Sequence, residues 1–116
     1  MLKKKEDMFV EFASIRGGNG EIECRRLERT VDDLYGKGRN FSIMTVQPGQ
    51  SIGYHQHIGD TEWFYIIKGT GIYNDNGVEK PFAAGDLLIC YDGEYHALVN
   101  NSDEPIEMLV LILYTK

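Results

Sequence analysis

Gly49-Gln-Ser-Ile-Gly-Tyr-His55-Gln-His57-Ile-Gly-Asp-Thr-Glu62 is the stretch that decides how this chain folds. It holds two of the three histidines in the 116-residue sequence. The third, His96, stands in Gly93-Glu-Tyr-His96-Ala-Leu-Val-Asn100. In a β-strand, side chains at i and i+2 share a face, with Cα atoms roughly 6.6 Å apart at about 3.3 Å rise per residue. His55 and His57 on one strand can therefore converge on one ion. Gly59-Asp60 reads as a turn. Glu62 then opens a returning strand, Glu62-Trp-Phe-Tyr-Ile-Ile-Lys68, which brings its carboxylate back beside the histidines. His96 has to come from a third strand, brought close by folding. Each signal is weak singly, since surface His-x-His pairs, strand-edge glutamates and lone histidines are common. Jointly, three imidazoles and a carboxylate form a donor set for a divalent transition metal.

Glycines punctuate this set at regular intervals. Gly49, His55, His57, Glu62 and Gly69 match the first sequence motif of the cupin superfamily position for position. Gly85, Gly93, His96 and Asn100 match the second, with Tyr91 where that family usually has proline. The chain thus resembles cupins from Gly49 to Asn100. The resemblance implies an all-β fold, a double-stranded β-helix or jelly-roll barrel in a single domain. It implies His55, His57, Glu62 and His96 as ligands of one divalent metal. Manganese or iron is favoured by similarity to other cupins, and zinc, nickel, cobalt and copper also suit the donors. Gly59-Asp60 before Glu62 looks like the small oxalate-decarboxylase-type members, although such decarboxylases commonly carry two barrels and this chain has one motif set.

The remaining sequence is strand-rich. Strands are expected near residues 8–13, 21–28, 39–47, 51–57, 62–68, 70–75, 78–82, 86–90, 95–100 and 106–114. Asn76-Gly77 supplies the positive φ angles of a tight hairpin turn. Pro48-Gly49 and Ala84-Gly85 mark further turns. Thr30 can cap one short helical turn ending at Gly36. Many short strands with glycine-rich turns argue for a sandwich or barrel. Residues 1–37 are expected to add strands packing on the barrel or a partner, and 38–116 to form the cupin barrel, one domain in all. Strand alternation places Phe64, Ile66, Leu98 and Asn100 on the faces of Glu62 and His96, which makes the interior mostly apolar. Asn100 is either a partner behind a ligand or a turn cap.

Composition bounds the partners. The formal net charge is −6, which opposes general affinity for nucleic acid or anionic membranes. No apolar stretch follows the Lys3-Lys4-Lys5 cluster, so no secretory leader is expected. Met108-Leu-Val-Leu-Ile-Leu-Tyr114 is far short of the roughly 20 residues of a spanning helix. Cys24 and Cys90 lack C-x-x-C spacing, and reduced thiols in the cytoplasm are the default. The terminal strand is apolar on both faces, as is Trp63, Tyr65 and Ile67 opposite Glu62, Phe64 and Ile66. One barrel has one interior, so a homodimer is expected unless residues 1–37 cover the outer face.

Two function classes follow. One is a metal-dependent enzyme acting on a small, oxygen-rich, carboxylate-type substrate by decarboxylation, oxygen insertion (a dioxygenase) or isomerisation. The other is a non-catalytic small-molecule binding or sensor module. No inward general acid or base stands out, with Tyr91 and Glu94 the nearest candidates from a loop. Gly69-Thr-Gly71 lacks the third glycine and following helix of a nucleotide loop.

Overall fold

The computed structural model describes residues 1–116. Ten strands form two antiparallel sheets. The strands are β1 (Phe9–Ala13), β2 (Ile22–Glu28), β3 (Gly38–Val46), β4 (Ser51–Gln56), β5 (Asp60–Lys68), β6 (Thr70–Asp75), β7 (Val78–Ala83), β8 (Leu87–Cys90), β9 (Tyr95–Val99) and β10 (Ile106–Tyr114). One sheet has the order β1-β2-β3-β10-β5-β8 and the other β4-β9-β6-β7. Helix is confined to two short 3₁₀ turns, Lys5–Asp7 and Asp32–Leu34.

The strand pattern follows from period-2 alternation. Along β10, Ile106, Met108, Val110 and Ile112 are buried, and the residues between them face outward. Along β5, Glu62, Phe64 and Ile66 point inward while Tyr65 and Ile67 are exposed. The inner faces meet in a core of Ile22, Met44, Val46, Ile52, Phe64, Ile66, Leu98 and the inward side of β10. Asn76 (φ 53°) and Gly77 (φ 95°) turn β6 into β7, with Asp75 opposite Val78. Thr30 and Asp33 exchange backbone-to-side-chain hydrogen bonds of 3.1 Å each at the second helical turn.

Two local departures bear on the site. His57 lies one residue beyond β4, where the ladder with β9 has already shifted register between Ile52 and His55. It is still held in line, because its N–H donates to Glu94 O (3.0 Å) and its carbonyl accepts from Gly93 N (2.7 Å). The returning strand starts at Asp60, two residues before Glu62, because Gly59 alone makes the turn at φ 81°.

Candidate metal centre

Three elements deliver the four predicted residues. His55 comes from β4, His57 from the residue after it, His96 from β9 and Glu62 from β5. The β4–β9 register sets His55 directly opposite His96. One ligand atom from each of the four lies within 4.8 Å of the others. His96 Nε2 is 3.2 Å from both His57 Nε2 and His55 Nε2. Glu62 Oε1 is 3.1 Å from Nε2 of His57 and of His96. His57, Glu62 and His96 are buried, and His55 is half-buried.

The opposite edge of each ring is tied down. His55 Nδ1 donates to Gly53 O (2.6 Å) and His57 Nδ1 donates to Asp60 Oδ1 (2.6 Å). Both acceptors lack a proton, so Nδ1 carries the hydrogen, and in the neutral ring Nε2 is the nitrogen left to present a lone pair to the cluster. His96 Nδ1 meets the Tyr73 hydroxyl at 2.9 Å. Phe64 stacks on the His96 ring, with centroids 5.4 Å apart and planes 16° from parallel. Neutral rings whose lone pairs are aimed at one point repel, and a cation at that point relieves the repulsion. Bonds of about 2.1 Å place neighbouring donor atoms about 3.0 Å apart at right angles and about 3.4 Å apart in a tetrahedron. The donor set therefore fits a divalent ion, and orienting partners behind histidine ligands are characteristic of such sites.

Electrostatics agree with this arrangement. Burial pushes the His55 pKa down. For His57, burial also acts downward, but hydrogen bonds to Glu62 and Asp60 outweigh it and raise the pKa. Burial acts upward on Glu62, yet its bonds to His57 and His96 hold it below the usual carboxylate range. Asp60 is likewise held low against burial by Arg39, which donates from Nε at 2.8 Å, and by His57.

A cavity of about 170 Å³ opens onto His55, His57 and Glu62. Its apolar wall is Ile15, Met44, Ile52, Phe64 and Ile112, and three arginines, Arg16, Arg26 and Arg39, complete the rim with Asn40. Of the apolar residues that alternation places on the site's faces, Phe64 reaches this cavity, whereas Ile66 and Leu98 lie in the core. Tyr91 and Glu94 do not line it. Glu94 accepts from Tyr91 N at 2.9 Å and from Asn76 Nδ2 at 3.2 Å, closing a turn. A larger cavity, about 480 Å³, is lined by residues that include Tyr73, Tyr91 and Glu94 but none of the four cluster residues. Its Lys80 is already paired with Asp75 at 2.8 Å. Asn100 is a turn cap, donating to Val46 O and Glu104 O and accepting from Ser102. Asp60, Arg39 and Tyr73 support the ligands without any mark in the sequence beyond the three-residue step from His57 to Asp60.

Fold and donor set together define a cupin-type β-barrel with a His/Glu cluster able to bind a metal, and the chain belongs to the cupin family, whose domain matches residues 42–112. An oxalate-binding protein of Thermotoga maritima is 37% identical over 101 residues, covering 87% of this chain and 83% of that protein. The crystal structure of a Thermotoga maritima protein described as a predicted oxalate decarboxylase superposes with a TM-score of 0.91 at 35% identity, covering 98% of this chain and 99% of that one. A Klebsiella pneumoniae protein with a double-stranded β-helix domain shares the fold at TM-score 0.69 and 24% identity, covering 87% of this chain and 84% of that one. No helix is long and apolar enough to cross a membrane.

Proposed function

We propose that His55, His57, Glu62 and His96 bind one divalent transition metal, manganese or iron in preference to zinc, nickel, cobalt or copper, and that the centre binds a small dicarboxylate of the oxalate class. The carrying observation is the convergence of three Nε2 atoms and Glu62 Oε1 at 3.1–3.2 Å. When bound, the ion supplies the positive charge that holds carboxylate oxygens. The chain's residues do the rest. Asp60, Gly53 O and Tyr73 orient the rings, and the apolar wall excludes water. The oxalate-binding relative at 37% identity supports the ligand class. Metal analysis and calorimetric titration with oxalate test the proposal. One ion per chain is expected, lost in the His57→Ala, His96→Ala double variant, with oxalate binding only to loaded protein. Equal oxalate binding by metal-free protein would overturn it.

Turnover of the bound acid is a second reading, favoured by the 35% identical structure described as a predicted oxalate decarboxylase. The cavity offers no uncommitted acid or base. Glu62 faces His57 and His96, and Asp60 is held by Arg39 and His57. A proton in such a reaction would have to come from water or the substrate. Release of carbon dioxide by loaded protein, absent from the double variant, is the outcome that selects turnover over binding.

We further propose a homodimer formed through the outer face of the six-stranded sheet. The ladder aligns Ile43, Leu109, Tyr65 and Leu87 in one outward row and Phe41, Leu111, Trp63 and Ile89 in the next. Tyr65 is 45% and Leu87 52% exposed. An uncovered apolar patch of this kind marks an interaction surface. Within residues 1–37, which we read as an N-terminal extension of the 38–116 barrel, β1 and β2 continue the sheet sideways from β3 rather than lying over this face. Light scattering should give twice the chain mass, reduced to one chain by Leu87→Glu; a wild-type monomer at micromolar concentration rejects the dimer. The free thiols of Cys24 and Cys90 support residence in the cytoplasm, and the charge of −6 supports a small-molecule partner over nucleic acid or membrane.

A further inference from the structure

We infer that Arg16 is the specificity-determining residue of the cavity, pairing with the second carboxylate of a metal-held dicarboxylate; the inference rests on the metal-centred reading above. Three arginines rim the cavity, but two are spent. Arg26 donates to Glu11 Oε1 through Nε and Nη2 and to Asn40 Oδ1 through Nη1. Arg39 is bound to Asp60. Arg16 has neither a hydrogen bond nor an ion pair and is exposed. A divalent ion with Glu62 leaves one net positive charge, enough for one carboxylate. A dianion leaves one negative charge over, and Arg16 is the rim cation without a counter-charge.

The backbone holds Arg16 at this place at a cost. Arg16 sits at φ 53°, a left-handed conformation uncommon outside glycine and found preferentially at functional sites. Its loop is fastened to β4. Gly53 N and Gly18 N both donate to Ile15 O, at 3.1 and 3.0 Å, and Ser51 N donates to Asn19 O at 3.0 Å. Asn19 returns bonds to Ser51 Oγ and Gly49 O, 2.8 Å each. The approach is so close that a Cβ on Gly53 would lie 1.9 Å from Arg16 O, and one on Gly18 would lie 2.0 Å from Ser51 O. The Arg16 backbone is thereby fixed against Gly53, two residues before His55, while its guanidinium makes no hydrogen bond or ion pair. The cavity, at about 170 Å³, is well below the roughly 300 Å³ at which pockets for drug-sized ligands begin. It admits acids of a few carbons.

The test compares metal-loaded wild type, Arg16→Gln and Arg16→Lys by titration calorimetry with oxalate, malonate and glycolate. Glycolate offers a similar pair of oxygens with a single charge. Losing a charge-assisted pair should weaken oxalate and malonate about 10- to 100-fold in Arg16→Gln. Glycolate binding and metal content should not change, and Arg16→Lys should recover part of the loss. Unchanged oxalate affinity in Arg16→Gln overturns the role of Arg16 while leaving the metal-centred reading intact. Equal weakening of glycolate also overturns it, since the effect would not depend on the second charge. Failure of loaded wild type to bind any of the three acids overturns both.

Discussion

The Tyr73 hydroxyl lies 2.9 Å from His96 Nδ1 and has no other hydrogen-bond partner. For His96 Nε2 to present a lone pair to an ion, its Nδ1 must donate, so the hydroxyl must accept. Burial raises the Tyr73 pKa, which keeps the phenol neutral in this role. Tyr73→Phe keeps the packing but leaves Nδ1 without a partner in a buried setting. Metal affinity should fall about 10-fold or more, read by competition with a chelator. An unchanged affinity would mean that Phe64 stacking alone fixes the ring.

Metal loading should grow more favourable as pH rises. In metal-free protein the His57 pKa is raised above 6.5 and that of Glu62 is held below 4.5. The raised histidine adds stability that is complete below 6.5 and lost as pH climbs through the folded value. The depressed glutamate adds stability present above 4.5 and lost as pH falls through its folded value. The pair therefore stabilises metal-free protein most between about pH 4.5 and 6.5. An ion must displace the His57 proton, so binding runs the other way. The gap in Tm between loaded and metal-free protein should widen from about pH 5 to about pH 8. A constant gap across that range would contradict the assignment of His57 as a ligand.

Gly53→Ala should be among the costlier small substitutions. The new Cβ meets backbone, 1.9 Å from Arg16 O and 3.2 Å from Gly18 N, so loop and strand must separate. Overpacking of this kind costs about 1–3 kcal/mol, a drop in Tm of roughly 5–20 °C for a domain of this size. Gly36→Ala is the control. Gly36 has φ 70° but nothing within 4 Å of an added Cβ, so only backbone strain of about 1–2 kcal/mol applies. Thermal melts of the two variants separate steric contact from conformation.

Cys24 and Cys90 should resist thiol reagents in the folded protein. They are 3% and 1% exposed. Burial raises the Cys24 pKa and pushes Cys90 up to about 12, so little thiolate forms near neutrality. Both should react in denaturant and neither in buffer, counted by mass spectrometry after alkylation. Rapid labelling of Cys90 in buffer would show that β8, an edge strand, opens locally.

Most strands were readable because burial on one face imposes alternation that survives in the sequence, as along β5 and β10. The four converging residues were readable because their spacing is local for His55, His57 and Glu62 and because no other histidine competes with His96. The supporting shell was not. Asp60 sits in a Gly-Asp pair that reads as a plain turn. Tyr73 is one of seven tyrosines, and it meets His96 only through the β6–β9 ladder, which pairs Tyr73 with Leu98 and Asp75 with His96. Arg16 looks like a lone loop charge until Gly18 and Gly53 are seen in contact. Such pairings are set by long-range register, which short-range periodicity does not encode.

The two sheets share no ladder, since no strand of one pairs with a strand of the other. The three histidines belong to the four-stranded sheet or its continuation, and Glu62 to the six-stranded one. An ion held by all four is therefore a latch between layers otherwise joined by side-chain packing and chain connections. Peeling the layers apart would require breaking the bond to Glu62 or those to the histidines. The folded lifetime of loaded protein would then follow the rate of ion escape, and a strong chelator would shorten it without altering a single backbone hydrogen bond.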